Sequence, residues 1–272
     1  MNTSTFKITA IALLAFTTFG CDKAKMYKGI DSEINITMME HLSGTLQLYF
    51  STTKIYPCMN YPIDLSWQKT SNRIEISFKR VIETDFCLTA LGPATATIDL
   101  GVLSDGTYQL NLQNGEVKYS GELVVSSDNY TVNFVNSSDF RFKNMPLNKI
   151  PENSLWLAIS YSNEGTLSSF LEILMDLGAT KKQYSRGFYS FDVPLYTWFY
   201  CGFMIDENGI ITYYPDFTNL DGVMWGGMVK KSFAFQYLGD NTSIEQLVKQ
   251  YKEQMEIRVY TDKGEQFLSW MY

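Results

Sequence analysis

Between Ile34 and Phe142 apolar residues recur at every second position in short runs, and no stretch keeps a helical period for more than two turns. The runs Thr45 to Phe50, Arg73 to Phe78 and Tyr130 to Phe134 alternate apolar with polar side chains, the pattern of a strand with one face in a core. Further strands are expected at Ile34 to Met39, Ile63 to Trp67, Thr95 to Leu100, Thr107 to Leu112 and Glu116 to Val125. Turn pairs stand between them at Ser71-Asn72, Asp105-Gly106, Asn114-Gly115 and Asp128-Asn129, and Asn-Gly is the strongest hairpin signal of these. Such a spacing of strands and turns predicts an antiparallel β-sandwich.

The period changes after residue 150. Leu155 to Tyr161 reads as a buried strand, and Thr166 to Leu177 as a helix with Leu167, Phe170, Leu171, Leu174 and Leu177 on one face and Gly178 as its stop. A second helix is expected from Ser243 to Met255, with Asn241 or Thr242 as cap and Ile244, Leu247, Val248, Tyr251 and Met255 on its apolar face. Strand-like runs lie between the helices at Gly187 to Val193, Tyr196 to Ile205, Ile210 to Tyr214 and Ser232 to Leu238, and a terminal hairpin spans Ile257 to Tyr272. This order predicts an α+β unit, a mixed sheet with both helices on one face, ferredoxin-like in outline. Between the halves, Pro146 and Pro151 stand among Asn144, Asn148 and Asn153, a composition that suits a linker. The expected division is a leader at 1–20, a tether at 21–33, a sandwich at 34–145, a linker at 146–153 and the α+β unit at 154–272.

At the N-terminus Lys7 precedes the apolar run Ile8 to Phe19, which Gly20-Cys21 follows directly. The run is too short to span a bilayer and has the layout of a secretory signal peptide. Thr18-Phe19-Gly20-Cys21 resembles the lipobox of bacterial lipoproteins; it keeps the small residue before the cysteine but has Thr18 where leucine is usual and a bulky Phe19. The resemblance implies that Cys21 becomes a lipidated N-terminus and anchors the chain in a membrane of the bacterial envelope. A plainly cleaved signal, with Cys21 an incidental thiol, and an uncleaved anchor are the alternatives. Gly106-Thr107-Tyr108-Gln109-Leu110 is similar to the G-T-Y-x-L strand of many secreted bacterial sandwich modules, and with the strand count it gives the sandwich an immunoglobulin-like reading.

Of the four cysteines, Cys21 is thereby assigned to the anchor. Cys58 and Cys87 lie in one β-rich region and are expected to pair in an exported chain, and Cys201 in its apolar run reads as a small buried hydrophobe. The single histidine, His41, removes most His-based metal sites and makes any histidine-dependent triad rest on one residue. With 22 Lys and Arg against 29 Asp and Glu, the chain carries a net charge of -7, which disfavours nucleic acid as a partner. Ser51-Thr52-Thr53-Lys54 and Ser127-Asp128-Asn129 match two motifs of serine β-lactamases and penicillin-binding proteins. The context is wrong, because the first should open a helix and the third motif of that family is missing. No motif implies a metal or a cofactor.

The remaining lead is a crowd of aromatic residues between Tyr184 and Tyr237. Rings left outside a one-sided sheet would form a platform for sugars or peptide side chains, with Trp198, Tyr213, Tyr214 and Trp225 the candidates; rings turned inward would be core. The sequence therefore points to a lipid-anchored envelope protein that binds a glycan, a peptide or an envelope partner through its C-terminal half. The alternative is an envelope hydrolase whose carboxylates converge only in the fold.

Overall fold

Alternation at period two becomes strands wherever a second sheet can cover the apolar face, and the structure, a computed structural model, is built mostly of strands. It describes residues 28–41, 44–87, 90–134, 137–191, 201–214 and 229–269. Cys21, Trp198 and Trp225 lie outside these residues, and of Cys201 and Tyr214 only the backbone is described.

The first half supplies β1 (Ile34–Glu40), β2 (Thr45–Tyr56), β3 (Ile63–Lys69), β4 (Arg73–Val81), β5 (Gly92–Val102), β6 (Gly106–Asn114), β7 (Val117–Val125), β8 (Asn129–Phe134) and β9 (Phe140–Phe142). A four-stranded sheet in the order β5-β2-β1-β9 packs on the strands β8-β7-β6-β4-β3. Ile34, Ile36 and Met38 of β1 meet Ile74, Ile76 and Phe78 of β4 in one core, and the Phe50 and Phe78 rings touch edge to face at 5.1 Å. Most pairings are antiparallel, but β1 with β9 and β4 with β6 run parallel. The expected strands are all present. Ser51 to Lys54 lie within β2 and Ser127 to Asn129 at the β7–β8 turn, so neither penicillin-binding motif has its helical setting.

Two buried asparagines act as backbone in this half. Asn144 accepts from the Met38 amide at 2.8 Å and donates to the Met38 carbonyl at 2.6 Å, completing the edge of β1 beyond β9. Asn114 does the same for Ile30, at 2.7 and 3.0 Å, and so seats the chain that enters from the N-terminus. Beside it Gly115, at φ +59, lies so close to Lys28 that a Cβ would stand 2.6 Å from the Lys28 carbonyl oxygen.

The second half contains β10 (Leu147–Asn148), β11 (Ser154–Tyr161), α1 (Glu164–Asp176), β12 (Thr180–Lys181), β13 (Gly187–Phe191), β14 (Cys201–Ile205), β15 (Ile211–Tyr214), β16 (Val229–Gln236), α2 (Asn241–Tyr251), β17 (Met255–Thr261) and β18 (Gln266–Ser269). The segment expected as a linker thus contributes a strand. Leu147 is fully buried and pairs with Tyr130 on one side and Phe188 on the other, so that a nine-stranded sheet runs β15-β14-β13-β10-β8-β7-β6-β4-β3. Asn148 donates to the Arg186 carbonyl at 3.0 Å and holds the approach to β13.

The five-stranded sheet β12-β16-β11-β17-β18 is antiparallel at every described pairing, where a mixed sheet was expected. The reason is in the crossovers. Helix α1 joins β11 to β12 with β16 between them, and α2 joins β16 to β17 with β11 between them, so each parallel pair is separated by an opposed strand. Both helices cover one face through Leu167, Phe170 and Leu174 and through Ile244, Leu247 and Val248. Helix α1 is capped by Asn163, whose side chain accepts from Gly165 and Thr166. The cap of α2 is Asp240, one residue before the expected pair, and the helix stops at Tyr251 because Met255 already pairs with Tyr161.

Candidate functional site

Strand β11 is buried on both faces, and its second face decides the fate of the aromatic crowd. Trp156, fully buried, stacks on Tyr184 at 5.1 Å and touches Tyr189, Phe191 and Phe203 within 5.7 Å. Strands β13 to β15 thereby cover the face that the helices leave open, and the described rings are interior apart from the half-buried Phe188 and Phe233. Tyr213, a candidate platform residue, is 5% exposed, and its hydroxyl lies 3.0 Å from that of Tyr260.

Tyr213 nevertheless meets a groove. Residues of β12, β15 and β16 line a cavity of about 560 Å³. Among the described residues its walls carry Lys181, Lys182, Lys230 and Lys231 and no carboxylate, with Tyr213, Phe233 and Phe235 among its apolar lining. The Lys230 ammonium stands 4.8 Å over the Tyr213 ring, and the Arg258 guanidinium carbon lies 5.8 Å from the same centroid. Lys231 is drawn aside by Glu164 at 2.7 Å, and Lys182 rests 5.6 Å over the Tyr184 ring. Four lysines line this groove in a chain whose net charge is -7, Lys230 against Tyr213 on one face of β16 and Lys231 against Tyr161 on the other. Sequence inspection missed the site because the lysines come as two adjacent pairs far apart in the chain, each of which reads alone as strand-edge solvation.

Two further concavities hold carboxylates. At the seam between the halves, Glu40 and His41 line a cavity of about 540 Å³ with Asn148, Lys149 and Tyr189. Burial pushes the Glu40 carboxyl above its ordinary range, against the opposing pull of the Tyr130 hydroxyl, the Ile150 amide and the nearby Lys149. Tyr130 donates to one Glu40 oxygen at 2.9 Å and the Ile150 amide to the other at 3.4 Å, so this carboxylate ties the two halves. His41 is half-buried in the β1–β2 turn, where its amide donates to Thr45. At the start of α2, Asp240 is the cap, Asp262 accepts from the Asn153 amide at 2.8 Å, and Glu265 accepts from Asn241. These carboxylates hold turns in place. Among the described residues no cluster of three His, Cys, Asp or Glu could bind a metal.

Cys58 and Cys87 stand at disulfide distance, with their Cα atoms 5.3 Å apart. They join the β2–β3 connection to the chain that leads from β4 to β5. No helix among the described residues is long and apolar enough to cross a membrane. No protein-family model matches this chain, no curated protein matches it significantly, and no solved structure does so either.

Proposed function

We propose that the chain is an exported, lipid-anchored binding protein of the bacterial cell envelope, whose C-terminal half holds an anionic glycan or peptide in the basic groove between β15 and β16. The observation that carries this reading is the groove itself: four lysines beside the half-buried Phe233, with no carboxylate among its described lining residues, in an acidic chain. Sugars and peptides offer rings and apolar edges to the half-buried Phe233 and the exposed Ile210 of its lining, while their carboxylates meet the lysines. The anchor reading rests on Gly20-Cys21 after the apolar leader. In the finer fold reading, the first half is a spacer sandwich of immunoglobulin-like scale, and the order β12-β16-β11-β17 with its two crossover helices is a split β-α-β unit of ferredoxin-like kind, into which β13 to β15 are inserted.

The test is a glycan and peptide array probed with residues 21–272 carrying Cys21→Ser, followed by titration calorimetry. Acidic members should bind in preference to neutral ones, and salt should weaken them. Lys182→Glu with Lys230→Glu should lower affinity about tenfold or more, at roughly 1 kcal/mol for each charge reversed near the ligand. Equal binding of neutral and acidic ligands, or full affinity in the double variant, overturns the reading.

A further inference from the structure

The N-terminus enters the sandwich at one end, and that end exposes several large apolar side chains among charged ones. Lys28 lies against Gly115 in the β6–β7 turn, and Gly115 donates its amide to the Phe78 carbonyl near the end of β4. The end of β2 and the start of β5 meet there, with Tyr56 opposite Gly92, and so do the start of β3 and the end of β4, with Ile63 opposite Val81. The disulfide pins the loops of this end together, and the Asn60 side chain donates to the Phe86 carbonyl at 2.7 Å. On this frame Phe86 is 71% and Leu91 77% exposed, and Ile55, Ile82 and Val117 are exposed at the same end. Large apolar side chains gathered at one end of a disulfide-pinned sandwich need an occupant. The second half joins the opposite end, at the β1–β2 and β7–β8 turns, and cannot cover them.

We propose that this end rests on the lipid bilayer and that Phe86 and Leu91 dip into its interfacial layer. The inference rests on the reading of Cys21 as the lipidated residue. From Cys21 to Lys28 there are seven residues, which reach at most about 25 Å fully extended. An acylated Cys21 therefore holds this end, and no other, against the membrane surface. Exposed Glu83, Asp85 and Glu116 offset exposed Lys28, Lys54 and Lys118 at this end, so contact is driven by apolar insertion and not by net attraction to anionic headgroups.

The full chain, extracted from membranes and weighed by mass spectrometry to establish the state of Cys21, is reconstituted in neutral vesicles of phosphatidylethanolamine and phosphatidylcholine containing brominated lipid. Phe86→Trp is compared with Leu238→Trp, which is exposed in the second half, and with the parent. The tryptophan at 86 should add a blue-shifted emission that brominated lipid quenches and added salt does not restore, while the one at 238 keeps its emission. If both substituted residues escape quenching while Cys21 carries its lipid, the bilayer contact is overturned and the anchor stands. Shielding of residue 86 from aqueous iodide without quenching by brominated lipid assigns the patch to a protein partner and overturns it as well. An unmodified Cys21 in a chain found only in the soluble fraction removes the anchor and this proposal together.

Discussion

Glu40 is a carboxylate held between two halves of a protein, and its chemistry follows from where it sits. Burial favours its neutral form, so its folded-state pKa lies above the ordinary glutamate value. The folded chain therefore holds a proton more tightly than the unfolded one. That contribution to stability is fully present below the ordinary carboxyl pKa and is lost as pH rises through the raised value. Glu40→Gln lacks the titration and keeps an acceptor for one of the two donors, Tyr130 and Ile150. Chemical denaturation of both proteins across the acid range should show the variant gaining on the parent as pH rises toward neutral; parallel profiles would mean that Glu40 titrates as an ordinary surface carboxyl. At this scale the sequence was legible where a residue had few possible fates. Cys58 and Cys87 were paired once Cys21 was assigned elsewhere, and they stand at bonding distance. Asn144 and Asn148 were not legible, because an asparagine that replaces a strand's backbone has the same letter as one that solvates a linker.

Strands and helices came through in proportion to how much of their pattern is local. Alternation located β1 to β8 because one face of each meets a single core, and the stripes of α1 and α2 located the helices because both lie on one sheet. β10 escaped notice. It is two residues long between prolines, and its pairing depends on Tyr130 and Phe188, which lie far from it in sequence. The same holds for β13 to β15, whose role as the cover of β11 made core of rings that could equally have formed a platform. The edge of β1 depends on Asn144, which satisfies both polar groups of Met38 in a fully buried position. Asn144→Ala leaves those groups without water or partner and should cost about 2 to 4 kcal/mol. A fall in urea midpoint at unchanged slope would register it, and a change below about 0.5 kcal/mol would mean that the edge closes without the side chain.

The molecule divides less cleanly than its sequence does. The nine-stranded sheet passes from the sandwich through β10 into β13 to β15, and Glu40 and Asn148 bind across the same seam. Calorimetry should therefore give one transition with equal calorimetric and van't Hoff enthalpies; two resolved transitions would show that the seam melts by itself. The groove was hidden for a reason of scale as well, since Lys181 and Lys182 reach Lys230 and Lys231 only when β12 pairs with β16. β2, twelve residues long, runs from the end joined to the second half to the end that receives the N-terminus. At about 3.3 Å per residue it measures nearly 40 Å. In the proposed orientation, with the chain standing on its tethered end, that length would act as a ruler. If Cys21 carries the proposed lipid, the anionic headgroups of the bilayer lie beyond the lysines' reach, and whatever fills the groove must extend tens of ångströms out from the membrane, as a polymer or a second envelope component does.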